Sequence, residues 1–102
     1  MTKQYLISRK YEEVGVYLQA ARAAKNLTQG RVARLLGYSS AQFISNFERG
    51  IALPPVKKLK VLIRLYDIPA SELIDIINAT EREILASALG EKNGPQKVRR
   101  AE

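Results

Sequence analysis

Residues 27–50 have the sequence LTQGRVARLLGYSSAQFISNFERG, and this stretch decides the fold. It predicts two short helices joined by a tight turn. Spacing successive residues about 100° apart around the second helix places its apolar and its polar residues in two separate arcs. The apolar arc carries Phe43, Ile44 and Phe47, and the polar arc carries Gln42, Ser45, Asn46 and Arg49. One side of this helix can therefore enter a core while the other presents hydrogen-bonding groups to a partner.

The residues that flank these two helices are of the types that begin and end helices. Thr28 can cap the start of the first helix, and Gly37 lies where that helix must end, because glycine tolerates a left-handed backbone. Ser39 and Ser40 offer hydroxyl caps for the second helix, and Gly50 ends it. This spacing predicts a compact helix-turn-helix.

The polar arc of the second helix has the chemistry that a DNA major groove requires. The amides of Gln42 and Asn46 each carry a donor beside an acceptor and can bind adenine through two hydrogen bonds. Arg49 can bind guanine or a phosphate. The alternative is that these residues only solvate an exposed face, as on many helices.

Two motifs in this stretch resemble those of the Cro and phage-repressor-like (XRE-like) helix-turn-helix DNA-binding family. The LTQxxxAxxLG motif is matched at Leu27, Thr28, Gln29, Ala33, Leu36 and Gly37, and the ISxxERG motif at Ile44, Ser45, Glu48, Arg49 and Gly50. The resemblance covers residues 12–75. Between the two motifs the sequence is one residue longer than the commonest family pattern. Ser40, Ala41 and Gln42 therefore remain alternatives for the residue that leads into the groove.

Helical periodicity and the resemblance together predict an all-α fold, a five-helix lambda-repressor-like helix-turn-helix bundle with an additional C-terminal helix. We expect the first helix at 11–25 and the fourth at 55–66. Along the chain we expect an N-terminal arm at 1–10, the DNA-binding domain at 11–78, the C-terminal helix at 79–90 and a mobile basic tail at 91–102.

Apolar residues at helical spacing identify the rest of the candidate core. We expect the fourth and fifth helices to bury Val56, Leu59, Leu62, Ile63, Tyr66, Leu73, Ile74, Ile76 and Ile77. Thr80 and Glu83 have the spacing of a capping box that would start the C-terminal helix. The apolar residues of that helix either extend the core or pair with the same helix of a second subunit; they are Ile84, Leu85, Ala88 and Leu89.

Composition excludes several classes of protein. At 102 residues, of which 46% are hydrophobic, the chain can form one small domain. It has neither cysteine nor histidine, which excludes disulfides, the usual zinc sites and histidine general bases, so we expect no catalytic residue, metal or cofactor. No apolar run approaches the roughly 20 residues of a membrane span, and the N-terminus lacks the apolar core of a signal peptide. We expect a soluble, cytoplasmic protein with no membrane partner.

The charge is unevenly distributed along the chain. Residues 1–66 carry twelve lysines and arginines against three acids, whereas residues 67–91 carry six acids against one base. A basic block that coincides with the helix-turn-helix is typical of a polyanion binder, because neutralising phosphates releases counterions. A surface charge that only solubilises the protein is the alternative.

Arg22 and Glu48 are expected to form an ion pair. Arg22 flanks the apolar face of the first helix, and Glu48 lies at the edge of the apolar arc of the third. The two charges could meet where these helices pack, and the resemblance implies a partly buried ion pair at these positions. Such a pair would fix the angle of the third helix, because removing one partner leaves a buried charge uncompensated.

The connection at 51–55 carries no basic residue, although similar domains often have phosphate-binding residues at this place. Two interpretations remain open. Either Lys57 and Lys58, at the start of the next helix, take over the phosphate contacts, or the apolar residues at 51–53 pack against a partner subunit.

The function that this sequence predicts is that of a dimeric transcriptional regulator that binds double-stranded DNA at an inverted repeat. Gln42 and Asn46 would contact base edges, together with Ser40, Ala41 and Ser45. Phosphate contacts would come from Thr28, Gln29, Arg49, Lys57 and Lys58. The alternative is an antitoxin or protein-interaction module that binds DNA for autoregulation, with its partner at 51–53 or 81–89. An enzyme is disfavoured because the chain has no histidine or cysteine, and an RNA-binding protein is disfavoured because the few aromatic residues form no base-stacking platform.

Overall fold

The computed structural model describes residues 9–91, which form five α-helices. These are α1 (Glu12–Ala24), α2 (Gln29–Leu35), α3 (Gln42–Glu48), α4 (Val56–Tyr66) and α5 (Ala70–Ala88). The described part of the chain contains no β-strand, so the prediction of an all-α fold is confirmed. The expectations for the N-terminal arm and the basic tail fall almost entirely on residues 1–8 and 92–102, which lie outside the described residues.

α1 is the central helix of the bundle, since it packs against α3, α4 and α5, while α2 packs against α3. The buried core draws on all five helices and consists of Val14, Leu18, Val32, Ala33, Leu36, Ile44, Phe47, Leu62, Tyr66 and Leu73. Two tyrosines of the α1 region also reach α5: the Tyr17 hydroxyl donates to Glu72 Oε1 at 2.6 Å and the Tyr11 hydroxyl to Glu81 Oε2 at 3.3 Å. Burial, together with the hydrogen bond to Glu72, raises the pKa of Tyr17 to about 12.

The turns of the helix-turn-helix are formed by the residues that sequence analysis identified. The Thr28 hydroxyl accepts a hydrogen bond from the Arg31 amide at 3.1 Å, as an N-cap does. Gly37 and Gly50 have φ angles of 82° and 79°, in the left-handed region. The Ser40 hydroxyl accepts from the Gln42 amide at 2.9 Å, but the N-cap residue of α3 is Ala41, so neither serine occupies the N-cap position.

α1 and α3 approach so closely at Gly15 that no side chain fits between them. A Cβ atom at Gly15 would lie 2.6 Å from the carbonyl oxygen of Phe47 and closer still to that of Glu48. The end of α3 therefore rests directly on the backbone of α1. Gly50 makes a second close approach, since a Cβ there would meet the backbone of Glu12, and the Tyr11 amide donates to the Gly50 carbonyl at 3.0 Å.

The expectation of a separate helix at 79–90 is wrong, because α5 continues without a break from Ala70 to Ala88. Thr80 lies inside this helix and is 6% exposed, so it does not cap a helix start. A capping box acts only where the chain enters a helix, and no glycine or proline near Thr80 interrupts the one already formed.

Several residues assigned to the core are exposed instead. Val56 is 81% exposed because it is the first residue of α4 and extends beyond the bundle. Ile74 on α5 is 52% exposed, and Phe43 on α3 is 43% exposed. Leu85 and Leu89 are 59% and 77% exposed, so they do not extend the core of the subunit. Their pairing with a second subunit stays a prediction.

The apolar connection between α3 and α4 is not an exposed patch. Ala52 and Leu53 are partly buried and pack against the core of their own chain, and Pro54 is buried. The Ile51 amide donates to the Asn46 carbonyl, five residues earlier, at 3.0 Å, and this bond closes the C-terminus of α3 around Gly50. The loop at 51–53 therefore offers little apolar surface to a partner.

Candidate nucleic-acid interface

α3 has an inner side that packs into the bundle and an outer side that faces solvent. Ile44, Phe47 and Glu48 are buried on the inner side. On the outer side Gln42 is exposed, and Ser45 and Asn46 are partly exposed. Because Gln42 is exposed and Ser45 and Asn46 keep part of their surface exposed, their polar groups are open to a ligand.

The inner side carries a polar network that is almost fully enclosed. Arg22 Nε lies 2.6 Å from Glu48 Oε2, and Arg22 Nη2 lies 3.0 Å from Oε1, so the two side chains form a paired, two-point contact. Their side chains are only 14% and 4% exposed. The hydrogen bond to Glu48 raises the pKa of Arg22, which keeps the guanidinium charged. Sequence analysis had paired these two residues.

Gln29 and Leu27 complete this network and connect it to α2. Gln29 Nε2 donates to Glu48 Oε1 at 2.8 Å, and Arg22 Nη1 donates to the Leu27 carbonyl at 2.7 Å. The Glu48 carboxylate is thus held by side chains from α1 and α2 at once. Gln29 was predicted to contact a phosphate, but its side-chain amide nitrogen points inward. It could bind a phosphate only after its hydrogen bond to Glu48 breaks.

Tyr66 of α4 is buried beside the same ion pair. Burial raises the pKa of Tyr66, and the negative charge of Glu48 raises it further. The phenol therefore stays neutral and adds no charge to the enclosed network. Residues of α1, α2 and α4 thus surround Glu48 and help to fix how α3 lies in the bundle.

The outer side of α3 carries a second polar network. Gln42 Nε2 donates to Asn46 Oδ1 at 2.9 Å, and Arg49 Nη2 donates to the same oxygen at 2.9 Å. These residues lie four and three positions apart, which is the spacing that brings side chains together on one helix face. The structure thus brings three of the predicted DNA contacts into one hydrogen-bonded row.

The other predicted base contacts lie around the start of this row. Gln42 is the first residue of α3, and Ser40 and Ala41 precede it in the turn. Ser40 is exposed, and because its oxygen accepts one hydrogen bond from the Gln42 amide, its hydroxyl hydrogen and its second lone pair remain for a ligand. Ser45 lies one turn along the helix and is partly exposed.

The two lysines at the start of α4 differ in their surroundings. Lys58 Nζ donates to the Leu36 carbonyl at 2.7 Å and lies 5.1 Å from the centre of the Tyr38 ring. Lys58 therefore ties α4 to the end of α2 through two contacts. Lys57 is exposed and forms no ion pair within residues 9–91.

Tyr38 and Phe43 form a stacked pair at the turn, which the sequence analysis missed. Their ring centres are 4.5 Å apart with an interplanar angle of 10°. The pair explains why Phe43 stays partly exposed, because it packs on the turn residue Tyr38 rather than in the core. Helical periodicity gives no signal for this contact, since Tyr38 lies outside both helices.

Six of the twelve lysines and arginines within residues 9–91 lie on α2 and α4. On α2, Arg31 and Arg34 are exposed, and on α4 so are Lys57 and Lys60. The acids of α5 lie on a different helix of the bundle. Within residues 9–91 no group of acidic side chains has an arrangement that could hold a metal ion, and no helix is long and apolar enough to cross a membrane.

A family model described as a helix-turn-helix domain matches residues 13–74, which run from the start of α1 into α5. The match contains both polar networks of α3. No curated protein matches the chain.

Proposed function

This chain belongs to the helix-turn-helix domain family of DNA-binding proteins, and we propose that it regulates transcription by binding a specific sequence of double-stranded DNA. The observation that carries this proposal is the outer side of α3, where Gln42, Asn46 and Arg49 form one accessible polar row. Side-chain amides in the major groove discriminate base pairs, and an α-helix fits that groove.

In the proposed complex α3 lies in the major groove and α2 crosses the phosphate backbone. Gln42 and Asn46 contact base edges, while Ser40, Ala41 and Ser45 line the contact. Thr28, Arg49, Lys57 and Lys58 serve the phosphates, and Gln29 joins them only where its side chain releases Glu48. Among these residues Lys57 has the strongest support, because it is exposed. The buried pair of Arg22 and Glu48 holds α3 at the angle that the groove requires.

The protein acts as a dimer in this proposal, with two α3 helices about 34 Å apart on an inverted repeat. The exposed Leu85 and Leu89 of α5 support a subunit contact at the end of this helix. Replacing both leucines by glutamate should produce a monomer in sedimentation, with folding intact because neither residue is in the core. A dimer that survives this change would place the interface elsewhere.

Selection of bound sites from a random pool of duplex DNA tests the proposed function. We expect an enriched inverted repeat, and we expect Gln42→Ala and Asn46→Ala each to weaken binding to it by about 1–3 kcal/mol. Binding to unrelated DNA should change little, because phosphate contacts remain.

Gln19→Ala is the matched control, since Gln19 is an exposed glutamine on α1. It should leave both kinds of binding unchanged. If Gln42→Ala and Asn46→Ala lowered specific and non-specific binding equally, or if no sequence were enriched, the assignment of base contacts would be wrong.

A second candidate function is a module that binds a protein partner and uses DNA binding for autoregulation. The same exposed leucines on α5 favour it, because they could dock a different protein instead of a second subunit. Purification of the chain together with a stoichiometric partner that the leucine-to-glutamate variant loses would support this candidate. A homodimer that binds its site without a partner would contradict it.

A further inference from the structure

We infer that Arg49 fixes the hydrogen-bond polarity of the outer side of α3, so that Asn46 offers only donors to DNA and selects guanine rather than adenine. This inference rests on the proposed function, because it concerns the bases that the same residues contact. It assigns Arg49 the role of a positioning residue for Asn46, in addition to any phosphate contact.

The orientation of both amides follows from the chemistry of arginine. A guanidinium has donors and no acceptor, so the Asn46 atom that lies 2.9 Å from Arg49 Nη2 must be the oxygen. The Gln42 atom that lies 2.9 Å from the same oxygen must then be a donor, which is Nε2. Arg49 therefore determines which way Asn46 faces, and through Asn46 which way Gln42 faces.

The remaining hydrogen-bonding capacity of each amide can be counted. A carbonyl oxygen has two lone pairs, and on Asn46 both are occupied, one by Gln42 and one by Arg49. Asn46 keeps the two hydrogens of its amide nitrogen. Gln42 keeps its oxygen as an acceptor and one hydrogen on its nitrogen.

These two patterns fit different bases. In the major groove guanine presents two neighbouring acceptors, N7 and O6, whereas adenine presents the acceptor N7 and the amino group at N6. Asn46, with donors alone, matches guanine, and the amino group of adenine would meet a carbonyl that has no lone pair left. Gln42, with one donor and one acceptor, still matches adenine.

The environment of Arg49 restricts the guanidinium. The residue is partly buried, and its Nε is shielded from solvent without a hydrogen-bond partner in the described chain. The Arg49 side chain donates a hydrogen bond from Nη2 to Asn46 Oδ1. This bond therefore holds the guanidinium beside Asn46, although it leaves the buried Nε without a partner in the described chain.

Site selection with three proteins tests this inference: the unmodified chain, Asn46→Ala and Arg49→Met. Loss of preference in Asn46→Ala identifies the base pair that Asn46 contacts. At that position we expect guanine for the unmodified chain and a shift toward adenine for Arg49→Met, because the freed carbonyl can accept from the adenine amino group. The ratio of the affinities for guanine and adenine at this position should change by about 5- to 150-fold, the range of a two-point base contact.

Arg49→Lys is the matched control, since a lysine ammonium can also donate to the Asn46 oxygen, and it should retain guanine. Adenine at this position for the unmodified chain would overturn the inference, as would an unchanged preference in Arg49→Met. In both outcomes the proposed function survives. If the unmodified chain enriched no sequence, or if Asn46→Ala lost base preference at no position, the base contacts of the proposed function would be wrong. This inference would then fail with them.

A second measurement does not use Arg49→Met and so does not depend on the folding of that variant. Replacing the guanine that Asn46 contacts by 7-deazaguanine removes the N7 acceptor and leaves the Watson–Crick pair intact. We expect the unmodified chain to bind this duplex about fivefold or more weakly. Equal affinity for the two duplexes would overturn the inference.

Discussion

The inner and outer polar networks of α3 have the same design in different surroundings. In each network a single oxygen accepts two hydrogen bonds, one from an arginine and one from a glutamine. Inside, Glu48 Oε1 accepts from Arg22 and Gln29, and outside, Asn46 Oδ1 accepts from Arg49 and Gln42. The inner acceptor is a carboxylate whose side chain is 4% exposed, whereas the outer acceptor is a neutral amide on a partly exposed residue.

The difference in burial separates stability from recognition. The inner network is shielded from water, so every group in it that loses its partner costs free energy of folding. The outer network borders water, which can replace a lost partner, so its substitutions should act on DNA binding and leave folding nearly unchanged. Two pairs of substitutions test this separation, and a third pair tests the close contact that seats α3 on α1.

Arg22→Ala should have the largest effect. It leaves the Glu48 carboxylate buried without its cation, and we expect a loss of about 3–5 kcal/mol in the free energy of unfolding, measured with urea. Arg34→Ala, at an exposed arginine on α2, is the control and should cost less than about 0.5 kcal/mol. If the two variants were equally stable, the buried Arg22 would contribute no more to the free energy of unfolding than the exposed Arg34 does.

Gly15→Ala should have the second largest effect, a loss of about 3 kcal/mol in the free energy of unfolding. The added methyl group meets the carbonyl oxygens at the end of α3, and backbone atoms cannot move aside as a flexible side chain can. Gly30→Ala is the matched control, because a Cβ there has no atom within 4 Å, and it should stabilise α2 by up to about 1 kcal/mol. Thermal unfolding measures both changes, and a stable Gly15→Ala variant would refute the close contact of α1 with α3.

Gln29→Ala and Gln42→Ala form the most direct comparison, and the effect should be the smallest. Removing Gln29 takes one donor from the buried carboxylate and should cost about 1.5 kcal/mol of stability, the lower end for hydrogen bonds to charged groups. Removing Gln42 should cost less than about 0.5 kcal/mol of stability. If urea unfolding gave the reverse order, burial would not be what separates the two networks.

The sequence predicted those features that depend on helical periodicity or on local turn chemistry. The two sides of α3 follow from residue spacing alone. The pairing of Arg22 with Glu48 was predicted from the faces on which they lie together with the resemblance to the Cro and phage-repressor-like family. Gly37 and Gly50 were identified because a chain reversal favours glycine at its left-handed position.

What the sequence could not give depends on contacts between distant residues. A glycine within a helical pattern, such as Gly15, has no periodic signature, and its role appears only when α3 lies against it. The capping-box spacing at Thr80 is a local pattern, and it misled because the helix around it is already formed. The sharing of one Asn46 oxygen by two donors requires side-chain positions that spacing does not specify.

The bond between the Tyr11 amide and the Gly50 carbonyl nearly closes the first three helices into a ring. The nitrogen and oxygen are 3.0 Å apart, although the two residues are separated by α1, α2 and α3. A peptide of residues 11–50 joined head to tail would therefore need only a very short linker. Cyclisation would reduce the entropy of its unfolded chain, so this hydrogen bond marks where the two ends of the three-helix segment could be joined covalently.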